Sequence, residues 1–75
     1  MATIDSKPMI DNLIANNGYF EDDPQVYMIV EYTNSYGAIT YGVTWVNEPA
    51  NRRNRYLDET EYVRSPKVIW HSESK

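Results

Sequence analysis

Between Gln25 and Asn47 the chain alternates apolar and other residues in two runs, and Glu31 is the only ionised side chain between Pro24 and Glu48. The runs are rich in β-branched and aromatic residues, a composition that fits a pleated, half-buried surface. Asn34-Ser35-Tyr36-Gly37 separates them, so the pattern predicts a long β-hairpin. In the first strand Val26, Met28, Val30 and Tyr32 alternate with Tyr27, Ile29, Glu31 and Thr33. In the second, Ile39, Tyr41, Val43 and Trp45 alternate with Ala38, Thr40, Gly42 and Thr44. A three-residue loop with a glycine bulge would set the apolar row of one strand beside Thr40, Gly42 and Thr44. A two- or four-residue connection unites both apolar rows on one face. Ser35 and Tyr36 disfavour the positive φ of a two-residue primed turn, whereas Gly37 accepts it. The expectation is a four-residue loop, Ser35 to Ala38, with one core face and a quieter second face around Gly42. That second face, containing Tyr27, is mildly apolar and needs a cover, from the C-terminal segment or from a partner.

The flanking segments are shorter. Residues 6–17 read as a helix, with Ser6 as its cap, Pro8 in the first turn and Gly18 as its stop. Ile10, Leu13 and Ile14 form an apolar stripe with Met9 beside it, while Asp11, Asn12 and Asn16 face water. About three turns are marginal alone, so this helix depends on the sheet. Tyr19 and Phe20 are expected beneath it, and Pro24 launches the first strand. Residues 48–57 show no periodicity and read as a loop. Asp58 with Glu61 resembles a capping box, which predicts a short helix at 59–64 ended by Pro66. VIWH, residues 68–71, reads as a last strand, paired in parallel with the first hairpin strand through the helical crossover, or antiparallel with the second. The former is favoured. The expected fold is a small single α+β domain over 1–75, order α-β-β-α-β, with the N-terminal helix packed on a hairpin-centred three-stranded sheet. Residues 1–5 and 72–75 are expected to fray.

Length and composition tighten this picture. Seventy-five residues support one core, and a chain of this size is stable by roughly 4–11 kcal/mol. With no Cys and one His, neither a disulfide nor a zinc site supplements it. Ten aromatic residues, seven of them Tyr, leave dense aromatic packing or self-association as the compensation. The lack of Cys fits the cytoplasm, and no run is long enough to span a membrane.

The net charge of −4 is uneven. Residues 1–31 carry Lys7 against six acids, whereas Arg52, Arg53 and Arg55 cluster in the later loop. An acidic total disfavours a dedicated nucleic-acid binder, whose phosphate contacts need clustered bases.

No catalytic constellation is visible. His71, beside Trp70, has no carboxylate orienter or nucleophile in a recognisable motif and reads as an ordinary strand-end residue. Glu21-Asp22-Asp23 lacks calcium-loop spacing. It reads as a solvated turn, with recognition by a basic partner as the alternative. No cofactor and no metal are expected.

The most function-like cluster is Arg52, Arg53 and Arg55, interleaved with Asn51, Asn54 and Tyr56. Arginine near aromatics suits a phosphate, a base face or a partner's carboxylate, the ordinary alternative being pairing with Glu48, Asp58 or Glu59. Tyr27 on the second face and Tyr36 at the hairpin tip have no expected core role, and exposed Tyr near Arg is the residue mix of interface hot spots. In its composition the chain resembles the small accessory proteins of phages and mobile elements, short, Cys-free, acidic and rich in Tyr and Asn.

The expected function is therefore a non-enzymatic binding module acting by protein–protein interaction. Its candidate partner-binding residues are Tyr27, Tyr36, Arg52, Arg53, Arg55 and Tyr56, and its setting, by that resemblance, a phage or mobile-element accessory or inhibitor protein. The alternatives are nucleic-acid or nucleotide binding through the Arg52–Tyr56 loop, and a self-assembling structural protein forming homodimers.

Overall fold

A computed structural model describes residues 2–73. Strand β1 (Ala2–Ile4) is followed by helix α1 (Lys7–Ala15), strands β2 (Val26–Thr33) and β3 (Ile39–Trp45), the short helix α2 (Ala50–Arg53) with a 3₁₀ turn (Arg55–Leu57), and strand β4 (Arg64–His71). The chain is a small α+β domain, and the order α-β-β-α-β runs from α1 to β4. The sheet, however, has four strands in the order β1-β3-β2-β4, all neighbours antiparallel.

Two expectations about the sheet change. Residues 2–4 are an edge strand rather than a frayed end, with Thr3 opposite Gly42 and Ile4 opposite Tyr41. Three residues are too few to show a period in sequence. The last strand begins at Arg64 and lies beside β2 as expected, but antiparallel to it. The intervening segment forms no helix at 59–64. Instead Thr60 Oγ1 accepts from the backbone of Tyr62 and Val63, a turn that takes the place of helical bonds. This lets the chain reverse, and helical structure appears earlier, at 50–57. Ser72 still bonds Tyr27 through its backbone, while the expected fraying at Met1, Ser74 and Lys75 lies outside the described residues.

The hairpin register is the larger correction. Tyr32 pairs with Thr40 and Thr33 with Ile39, so even numbers face even and the loop has three residues rather than four. Asn34 decides this. Its carboxamide oxygen accepts from Tyr36 and Ala38, its carbonyl accepts from Gly37, and Gly37 takes φ +82°. The apolar rows of β2 and β3 consequently lie on opposite faces. A bulge between Val26 and Met28 then returns Val26 to the face of Val43 and Trp45.

This register is stable because both faces are covered. Residues Thr40 to Thr44 are all buried, so the period-two exposure of a one-sided sheet is absent. On the first face Ile10 and Leu13 of α1 pack with Val26, Ile29, Tyr41 and Val43, joined by Ile4, Trp45, Ile69 and Trp70. On the second, Tyr56 and Val63 cover Met28, Val30 and Tyr32. Tyr56 lies on Gly42, where a Cβ would sit 2.3 Å from its Cγ. Its ring stacks on Tyr32 at 5.6 Å between centroids, and its hydroxyl is 3.5 Å from Thr3 Oγ1.

Thr44 is the imperfection in this layer: fully buried, with Oγ1 lacking a hydrogen-bond partner among the described residues. Thr44→Val keeps the shape and removes the orphan hydroxyl, so it is expected to stabilise the domain by roughly 1 kcal/mol. A raised urea midpoint with an unchanged m-value is the supporting result, and a lowered midpoint would show that the hydroxyl has a partner in solution.

Both edges of the sheet are short or interrupted. In β4 the step from Arg64 to Lys67 opposes only Thr33 to Glu31, and Ser65 holds φ +54° before Pro66. Proline fits an outermost strand because it removes no interior ladder bond.

Candidate functional site

Helix α1 ends in a Schellman motif that sets the geometry of its surroundings. Gly18 N–H bonds the Leu13 carbonyl and Asn17 N–H bonds that of Ile14, with Asn17 at φ +57°. Gly18, at φ +84°, passes so close to Trp70 that a Cβ would sit 2.5 Å from the ring. Gln25 Nε2 donates to the Asn17 carbonyl, and Val26 N–H to that of Gly18, which ties the helix end to β2. In the loop between, Asp23 N–H bonds the Phe20 carbonyl and Glu21 sits at φ +53°, a conformation that costs a non-glycine residue about 1 kcal/mol or more. Tyr19 and Phe20 are 52% and 46% exposed instead of tucked beneath α1.

Phe20 is one wall of a groove of about 270 Å³ beside α1. Ile4, Met9, Asn12, Leu13, Asn16 and Trp45 complete it. Met9, Asn12, Leu13 and Asn16 recur at the spacing of one helical face. Trp45 is fixed at the end of β3 by the Glu48 carboxylate, which accepts its backbone N–H at 3.2 Å, while Val46 N–H bonds the Gln25 carbonyl. Met9 is 48% exposed, and the Asn12 and Asn16 carboxamides bond no other described residue. The lining is mostly apolar, with two amides at its border.

Charge near this face is acidic. Glu21, Asp22 and Asp23 follow Phe20, are exposed, and form no ion pair among the described residues. Lys7 is engaged by Asp11 at 2.5 Å, one helical turn away, and this partner raises its pKa. Deeper under α1, burial pushes the Tyr41 phenol up, and the Glu31 carboxylate opposite it in the sheet adds to the shift.

The residues singled out from the sequence are distributed differently. Tyr36 stands at the hairpin tip and is 93% exposed. Tyr27 sits at the β2 bulge with the Arg53 guanidinium carbon 4.4 Å above its ring and the His71 ring 4.4 Å away, edge-on. Residues 27, 53 and 71 thus meet in one cluster. Arg53 Nε is buried without a hydrogen-bond partner among the described residues. Arg52 is exposed, and Arg55 Nε donates to the Arg52 carbonyl at 3.4 Å. Tyr56 is buried, so its ring belongs to the core and only Tyr27, Arg52, Arg53 and Arg55 share one region. His71 Nδ1 accepts the Glu73 N–H, which assigns the proton of the neutral ring to Nε2.

The groove escaped sequence reading because its walls come from four segments. The one local signal was Met9 beside the helix stripe. Among the described residues no group of three or more His, Asp or Glu is placed to hold a metal ion, and no helix is long and apolar enough to cross a membrane. Compared with known proteins, the chain matches no family model, no curated sequence and no solved structure.

Proposed function

We propose that the chain is a non-enzymatic binding module that docks on a partner protein through the α1 groove. The observation that carries this reading is the half-exposed Phe20 beside Met9 and Trp45 in a concave, mostly apolar surface along α1. Small domains bury such residues when their only role is packing, and exposed aromatic and Met side chains around a cleft are the residue types of interface anchors. An accessory or inhibitor protein of a phage or mobile element is a setting in which a module of this kind works.

A second reading has its own support. Arg53 is pre-oriented on Tyr27, and its chain neighbour Arg52 is exposed, an arrangement that suits an oxyanion, including a nucleic-acid phosphate.

One capture experiment separates the readings. Wild type, Met9→Asp, Phe20→Ser and Arg53→Gln are immobilised and exposed to native host lysate, with melting temperatures measured in parallel. Loss of the captured protein in the two groove variants alone, with folding intact, supports the groove. Loss in Arg53→Gln alone, with capture that falls steeply with salt, supports the oxyanion reading. Capture indifferent to Met9 and Phe20 overturns the proposal.

A further inference from the structure

We propose that the groove receives a single aromatic side chain from a partner segment whose flanking residues are Lys or Arg. This rests on the groove being the contact surface and specifies its occupant. Three observations converge on it.

The first is size. At about 270 Å³ and half-open, the groove lies below the roughly 300–1,000 Å³ of pockets that enclose drug-sized ligands. It accommodates one large side chain presented from outside. The second is lining. Phe20 and Trp45 offer ring faces and edges, and Met9 a flexible thioether that adapts to an aromatic guest. Asn12 and Asn16, four residues apart on α1 and unbonded to other described residues, are placed to pair with the guest's own main chain on either side of its anchor.

The third is charge. Phe20 leads directly into Glu21-Asp22-Asp23, three exposed carboxylates without ion-pair partners among the described residues. The nearby cation, Lys7, is taken by Asp11. The arginine loop packs on the opposite face, where Arg53 covers Tyr27. A basic segment approaching the groove past Phe20 meets complementary charge, which raises its association rate and rejects acidic competitors. A nucleic-acid strand is repelled there for the same reason.

The test uses the whole chain and three synthetic peptides: Trp flanked by lysines, Trp flanked by glutamates, and Ala flanked by lysines. Binding is followed by NMR at the Met9 methyl and the Asn12 and Asn16 side-chain amides. The Lys-flanked Trp peptide is expected to shift these signals, with an affinity roughly tenfold above either control at low salt. A Glu21→Gln, Asp22→Asn, Asp23→Asn variant should lose the preference for lysine over glutamate and keep the preference for Trp over Ala. Equal affinity for Lys- and Glu-flanked Trp overturns the charge assignment, and equal affinity for Trp and Ala overturns the anchor. If no peptide binds, this occupant is wrong. The docking reading is judged separately, by whether lysate capture still depends on Met9 and Phe20.

Discussion

Gly42→Ala is expected to destabilise the domain by about 3 kcal/mol, although glycine to alanine in a strand is ordinarily favourable. The added Cβ would lie 2.3–2.5 Å from Cγ, Cδ1 and Cδ2 of Tyr56, the near side of the ring rather than its tip. A rotamer change does not clear it, so the ring must lift from the sheet. Lifting it parts the stack with Tyr32 and opens the layer above Met28 and Val30. Against a total of roughly 4–11 kcal/mol, that is a large share. Tyr56→Ala should cost about 3–5 kcal/mol by the cavity it leaves. The decisive measurement is the double variant by urea unfolding. With the ring gone, Gly42→Ala should become neutral or mildly stabilising, a reversal of sign. Additive effects would mean that Tyr56 does not rest on Gly42.

The second large effect concerns Gly18. Gly18→Ala is expected to cost about 2–4 kcal/mol, combining a left-handed backbone at φ +84° with a Cβ placed 2.5 Å from Trp70 Cη2. Gly37 supplies the control, with φ +82° and no atom within 4 Å of the added carbon. Gly37→Ala should therefore lose only the backbone share, about 1–2 kcal/mol. The difference between the two urea midpoints measures the packing of Trp70 against the helix end, and in a Trp45→Phe background, where Trp70 is the one indole left, its fluorescence should shift in the Gly18 variant alone. Equal losses would remove the Trp70 contact from the account.

Much of this architecture was legible in the residues. Ser6, Pro8 and Gly18 bracket α1, and Ile10 and Leu13 of its stripe are buried, because capping and amphipathic spacing are local properties. The hairpin and the positive φ of Gly37 were equally local. The register was not. Placing both apolar rows together presumes one buried face, and this chain buries two. Tyr56, read as an interface residue from its arginine neighbours, is the side chain that makes the second face dry. Sequence spacing could not show that Gly42 is its seat, nor that Phe20 stays half-exposed beside α1. Of the candidate site, Tyr27 and Arg53 do come together, but the groove draws on β1, α1, β3 and a loop, a long-range assembly without a linear pattern.

The Ser65–Pro66 step in β4 has a consequence for how copies of this chain behave when crowded. An outermost strand with a continuous row of unpaired amides is a template on which another chain can extend the sheet. Here one amide is missing at Pro66 and the backbone twists away at Ser65, which divides the border into two short stretches. Neither offers the unbroken run of hydrogen bonds that fibrous growth requires, so a domain this rich in tyrosine and β-branched residues carries its own guard against amyloid-like stacking.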